Sequence, residues 1–172
     1  MMGTTEAAGS LEAAFRRIAA TRMAGLPLNN SALQVQAVGF KAQEGGYLVG
    51  VLITPWAINL VMLAPTPSRE LYLASDRRQT WDFPSGSYEF MGGEEPECGA
   101  YQFCSLFSPA FEFRDHASAV ETSAAIMVTL FAEAEPDHAA AKEAARLKGQ
   151  SVAHIPTTRR GFLQGVFGGL KG

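Results

Sequence analysis

The chain is poor in metal-binding side chains, with two cysteines and three histidines among 172 residues. Cys98 and Cys104 are separated by five residues, which is neither Cys-x-x-Cys nor a usual zinc spacing. His116, His138 and His154 are dispersed, so no metal and no other cofactor is expected. Positive charge is not in excess: 14 Lys and Arg against 17 Asp and Glu leave a net charge of −3. A nucleic-acid partner is therefore not expected. No apolar run approaches the roughly 18 residues that span a bilayer, so membrane insertion is not expected. The first residues lack a basic stretch followed by an apolar one, which predicts a cytoplasmic protein.

Catalytic signatures are missing too. Pro84-Ser85-Gly86-Ser87 lacks the first glycine of a nucleophile elbow, and no Gly-x-Gly-x-x-Gly or phosphate loop occurs. Glu94, Glu95 and Glu97 cluster in a Gly- and Pro-flanked turn, which reads as a solvated loop more readily than as an acid–base pair. Asp115-His116 is a dyad only on paper, because neighbours in sequence rarely present both side chains to one substrate. The expectation is a protein that is not an enzyme.

What the chain does have is 47% hydrophobic residues, with 11 Phe, 4 Tyr and 2 Trp, enough for one domain with a real core. Residues 1–9 are small and polar and read as a frayed, disordered end. Ser10 reads as the cap of a helix over about 10–24, with Leu11, Ala14, Phe15 and Ile18 on one face and Arg16, Arg17 and Arg22 away from it. Val35–Lys41 and Tyr47–Thr54 flank Glu44-Gly45-Gly46, a hairpin signal. Tyr47–Leu63 is nearly all apolar, but Gly50, Pro55 and its β-branched residues indicate two buried strands joined at Pro55-Trp56. Trp81–Phe90 breaks at Pro84-Ser85-Gly86, Gly92-Gly93 with Pro96 reads as another turn, and Ala100–Phe107 as a further strand. Ser118-Ala119-Val120-Glu121 matches a capping box opening a last helix whose stripe is Val120, Ala124, Met127 and Phe131, stopped by Pro136.

The predicted fold is α+β: a mostly antiparallel β-sheet packed by an N-terminal and a C-terminal helix, with a flexible C-terminal tail. The domain spans 10–135, with Phe15, Ile18, Ile53, Leu60, Phe103, Cys104, Met127 and Phe131 buried. Residues 136–172 are an Ala-rich helix or linker without a strong apolar face, then a tail. That tail, Thr157-Thr158-Arg159-Arg160-Gly161-Phe162-Leu163-Gln164, resembles a twin-arginine export motif, with Arg159, Arg160, Phe162 and Leu163 its signal-like residues.

A binding surface is the better-supported kind of site. Trp56, Trp81, Phe83, Tyr88, Phe107 and Phe111 stand at strand ends or beside prolines, and two helices are expected to leave one sheet face open. A receptor for an Arg-Arg, Phe-Leu signal needs acidic and apolar side chains together, and Glu94, Glu95 and Glu97 beside Phe83 and Phe90 are the predicted set.

Three strings carry a resemblance: Val51-Leu52-Ile53-Thr54-Pro55-Trp56, Phe83-Pro84-Ser85-Gly86-Ser87-Tyr88-Glu89-Phe90, and Tyr101-Gln102-Phe103-Cys104-Ser105-Leu106-Phe107-Ser108-Pro109. In this order they resemble the HybE/HupJ family of [NiFe]-hydrogenase assembly chaperones. The resemblance implies a cytoplasmic, non-enzymatic protein that binds the hydrogenase small subunit precursor and delays its export until assembly is complete. Other hydrogenase maturation proteins are implied as further partners. Some relatives are joined to a rubredoxin, but this chain lacks the paired Cys-x-x-Cys motifs and is expected to hold no iron. The residues leave a second reading open: a redox-protective or small-ligand-binding module in which Cys98 and Cys104 guard iron–sulfur clusters. The tail is expected to act as a pseudo-substrate, either within the chain or by self-association with a neighbour.

Overall fold

The computed structural model describes residues 3–133. Two helices and six strands run in the order α1 (Thr4–Ala20), β1 (Gln36–Ala42), β2 (Leu48–Ile53), β3 (Ile58–Leu63), β4 (Arg78–Phe83), β5 (Gly86–Glu95), β6 (Gly99–Phe107) and α2 (His116–Leu130). The strands form one sheet in the order β1-β2-β3-β6-β5-β4, with every neighbouring pair antiparallel. This is the predicted α+β architecture.

Side chains alternate across the central strands. Val49, Val51 and Ile53 of β2 and Ile58, Leu60 and Met62 of β3 join a core with Ile126, Met127 and Leu130 of α2. Leu48 and Leu52, with Val61 and Leu63, form a second core with Leu11, Ala14, Phe15 and Ile18 of α1. The helices therefore cover opposite faces, and β2 is buried along its whole length. The face expected to stay open is closed.

Several local expectations change. Helix α1 starts at Thr4 instead of Ser10, because Glu6 reaches back to accept the Gly3 N–H at 3.3 Å and Ala7 is already buried. Ser10 lies inside the helix, its hydroxyl donating to the Glu6 carbonyl. Residues 4–9 are thus helical. Gly92 and Gly93 are not a turn but part of β5: the Tyr101 ring lies over Gly93, and the Leu73 carbonyl approaches Gly92, so a side chain at either place would collide. Helix α2 is capped by Asp115, whose carboxylate accepts the Ser118 N–H at 2.7 Å, and not by Ser118. Packing against the sheet turns Ala119, Thr122, Ser123, Ile126, Met127 and Leu130 inward. Val120 and Phe131 are left half-buried and Ala124 is exposed. Of the predicted core, Phe15, Ile18, Ile53, Leu60, Cys104 and Met127 are buried, whereas Phe103 and Phe131 are only partly so. The predicted linker and tail at 136–172, with Arg159, Arg160, Phe162 and Leu163, lie outside the described residues.

Candidate functional site

The sheet register brings the three motif strings to one end of the molecule. The Thr54–Ala57 corner joins β2 to β3, and Ile58 pairs with Phe107 at the end of β6. Continuing the Met91–Phe103 register along β5 places the Pro84–Gly86 turn at that same end. Each turn is held by its own hydrogen bonds. The Thr54 hydroxyl donates to the Ala57 carbonyl at 2.6 Å and accepts the Ala57 N–H at 3.0 Å. The Ser85 N–H donates to the last carbonyl of α2, Leu130, at 3.2 Å.

Asn30 ties two further loops to this end. Its backbone N–H donates to the Pro55 carbonyl at 2.7 Å, and its side-chain amide donates to the Ala110 and Phe113 carbonyls at 2.9 and 2.8 Å. Its Oδ1 accepts the Ala32 N–H. The loops so fixed carry Leu26, Leu28 and Phe111, exposed at 39, 49 and 54%. Large apolar side chains left in water on a hydrogen-bonded frame mark a surface suited to binding. Half-buried Trp56 stands at the same corner, stacked on Phe15 with 6.3 Å between ring centroids.

The other predicted aromatics divide differently. Phe111 is exposed, Trp56 and Trp81 are half-buried, and Phe83, Tyr88, Phe90 and Phe107 are core. Those four cannot line an open surface, because the sheet curls around them and α2 closes the concave side. The Trp81 Nε1–H is turned inward, donating at 2.7 Å to the amide oxygen of buried Gln102. The Gln102 amide in turn donates to the Leu71 carbonyl and to Gln79.

The glutamates lie elsewhere. Glu95, at the end of β5, is separated from Phe83 by the length of that strand, about 30 Å at the usual rise. Glu95 is buried, and its two oxygens accept from Arg17 and Arg22. Arg17 also binds Glu97 through two of its nitrogens, at 2.7 and 3.0 Å, and Arg69 binds Glu94 at 3.0 Å. Three arginines thus answer three glutamates, and an open cleft of about 480 Å³ runs beside them between Pro67 and Pro96. The hydrogen bond from Arg17 holds the Glu97 carboxyl below the usual carboxylate range. The predicted union of these acids with Phe83 and Phe90 does not form.

Cys98 belongs to the α1-side core and Cys104 to the α2-side core, so the two thiols point to opposite faces and neither is in a disulfide. Burial, with Glu95 and Glu97 nearby, pushes the Cys98 thiol up to about 12. A paired redox role has no support in this geometry. His116 is structural, accepting the Gln34 N–H at Nδ1 and bonded to Gln36 through Nε2. Among the described residues no three His, Cys, Asp or Glu side chains gather as a metal site, and no helix is long and apolar enough to cross a membrane.

Sequence reasoning missed Leu26, Leu28 and Asn30, whose roles depend on loops that meet only in three dimensions. It also missed the part of Arg17 and Arg22, which act on carboxylates more than 70 positions away. The Asn29-Asn30 pair after Pro27 is the one signal in the sequence, and by itself it indicates only a loop.

Relatives are found along nearly the whole chain. The model of a family described as "[NiFe]-hydrogenase assembly, chaperone, HybE" matches residues 6–165. Protein HoxT of Cupriavidus necator is 43% identical over 165 residues, covering 90% of this chain and 86% of that one. The hydrogenase expression/formation protein HupJ of Bradyrhizobium diazoefficiens is 35% identical over 156 residues, covering 91% and 86%. The solution structure of HybE from Escherichia coli has the same fold, with a TM-score of 0.53 and 23% identity over 92% of this chain and 83% of that one.

Proposed function

The chain belongs to the HybE family of [NiFe]-hydrogenase assembly chaperones, and from that membership we propose that it binds the immature hydrogenase small subunit. Binding takes place in the cytoplasm and delays twin-arginine export until the small subunit has been assembled with its partner. The chain acts by occupancy, without catalysis and without a cofactor of its own. Other maturation proteins meet the same complex.

One observation carries this reading: Leu26, Leu28 and Phe111 stand exposed on loops that Asn30 holds in place. An immature subunit exposes apolar surface that its assembled form buries, and a rigid apolar end is the complement to it. Arg159, Arg160, Phe162 and Leu163 copy the client's export signal and compete with it for the chaperone.

The test is co-purification of tagged full-length protein with the small-subunit precursor, using Leu28→Asp and Phe111→Asp beside the wild type. The wild type is expected to retain the precursor but not the assembled subunit. Each variant is expected to lose about tenfold or more in retention, the usual effect of truncating or charging a central apolar anchor. Retention of precursor and assembled enzyme alike, or full retention by both variants, overturns the reading.

A further inference from the structure

The two edges of the sheet are treated differently. Strand β1 is guarded: both helices pack against it, and a register shift between Val38 and Lys41 breaks its line at Gly39, where φ is 68°. The other edge, β4, is regular. Arg78–Phe83 pairs with β5 residue for residue, without a shift, and Arg78, Thr80 and Asp82 are exposed.

The register also fixes which backbone groups face outward. Phe83 and Gly86 close a two-residue loop, so they exchange both their hydrogen bonds, and Trp81 and Gln79 repeat this at alternate places. The N–H and C=O groups of Arg78, Thr80 and Asp82 therefore point away from β5. Among the described residues no backbone hydrogen bond from another segment reaches them. Tyr47 and Phe131 meet β4 at the rings of Trp81 and Phe83, which turn to the α2 side.

Charges on such an edge normally repel other strands. Here they are of opposite sign and stand symmetrically about Thr80. Among the described residues neither is in an ion pair. Arg78 donates to the Arg77 carbonyl, and Asp82 accepts from the Ser87 hydroxyl. Glu89, opposite Thr80 on β5, lies one strand further in.

We propose that β4 pairs with β4 of a second copy, antiparallel about a two-fold axis at Thr80. Arg78 then faces Asp82 of the second copy, Asp82 faces its Arg78, and Thr80 faces Thr80. These are the positions whose backbone groups point outward, so each pair exchanges both hydrogen bonds. Opposite charges and paired threonines are favourable cross-strand neighbours, and a two-fold contact makes each twice. Sliding the strands by two residues sets Asp82 against Asp76 or Arg78 against Pro84, so the register about Thr80 is the one that satisfies both backbone and charge. Because the strands run oppositely, the loops of Leu28 and Phe111 fall at the far ends of the pair. The inference is independent of which client the protein holds.

Two measurements on the full chain test it. Sedimentation over a concentration series is expected to show a monomer–dimer equilibrium. Arg78→Asp and Asp82→Arg are each expected to weaken it by about tenfold or more, because like charges then oppose each other. An equimolar mixture of these two variants is expected to associate again, since acid meets base at both places. In the second measurement, Thr80→Cys is expected to form a disulfide between copies under mild oxidation. Arg78→Cys is not, because its two copies lie about 13 Å or more apart. A wild type that stays monomeric, association untouched by charge reversal, or a mixture that stays monomeric overturns the proposal. So does a Thr80→Cys protein that forms no link, or linkage by both cysteine variants alike.

Discussion

The rings of Trp81 and Tyr47 meet edge-on with 5.9 Å between centroids, although β4 and β2 are the sixth and the second strands of the sheet. A flat sheet would hold these strands about 19 Å apart, four spacings of the usual width. The contact therefore marks how far the sheet curls. Phe131 closes the same mouth from α2, edge-on to Phe83 at 5.9 Å and under the Lys41 ammonium. Curvature is what turned Phe83, Tyr88 and Phe90 from surface candidates into core.

Gln102 sits at the centre of that curl, 1% exposed, bonded to Trp81, Gln79 and the Leu71 carbonyl. Gln102→Leu keeps the bulk but strands these partners in the core. It is expected to destabilise the domain by about 1–3 kcal/mol for each partner left unpaired. Chemical denaturation with near-ultraviolet tryptophan signals measures this, and a change below about 0.5 kcal/mol would mean water satisfies the groups.

The fold was legible in the sequence because the central strands announce themselves. Gly45-Gly46 and Pro55-Trp56 punctuate apolar runs containing Val and Ile, Pro84-Ser85-Gly86 punctuates an aromatic one, and each lies between two antiparallel strands. Sheet curvature leaves no such mark, so burial of Tyr88 and Phe107 could not be told from exposure. Long-range charge pairing is equally silent. Nothing near Glu95 in the chain points to Arg17 or Arg22, and an acidic turn that looked solvated proved to be a partly buried ion cluster. The cap of α2 was misplaced by three residues because Asp115 and Ser118 are both good caps and only the backbone chooses between them.

The Arg17 cluster predicts a dependence on acid. Arg17 lowers the Glu97 carboxyl below its unfolded value, so the bond contributes stability above the unfolded carboxylate range and loses it as the pH falls through the folded value. Arg17→Gln is expected to be less stable than wild type at neutral pH, the gap narrowing below about pH 5. Denaturation midpoints of both proteins across that range provide the check. A gap independent of pH would show that Arg17 acts through packing alone.

Cys98 makes the opposite prediction. Its thiol stays protonated in the folded protein up to about pH 12, while an unfolded thiol ionises near 8.5. Stability is therefore expected to decline as the pH rises above about 8.5. Neither Cys98 nor Cys104 should react with an aromatic disulfide reagent in native buffer, and both should react in denaturant. The double Ser variant, if folded, should retain client as wild type does. Rapid native reaction, or retention lost with the cysteines, would revive a redox role.

The tail closes the set. Residues 157–164 carry the Arg-Arg and Phe-Leu pairs of an export signal on the protein proposed to hold such signals. A flexible tether of the length of residues 137–156 has a root-mean-square reach of roughly 25 Å. Over that distance the tail meets neighbouring surface at a concentration near the millimolar range. Even a weak contact then occupies the site when no client is bound, and a client must displace it. Deleting residues 157–172, or replacing Arg159 and Arg160 by Gln, is expected to tighten binding of a small-subunit signal peptide by about threefold to tenfold, as removal of a competitor of that local concentration requires. Fluorescence anisotropy with a labelled signal peptide reads the affinity, and light scattering on the same samples reports any loss of self-association. Unchanged or weaker binding by the shortened chain rules out the competition.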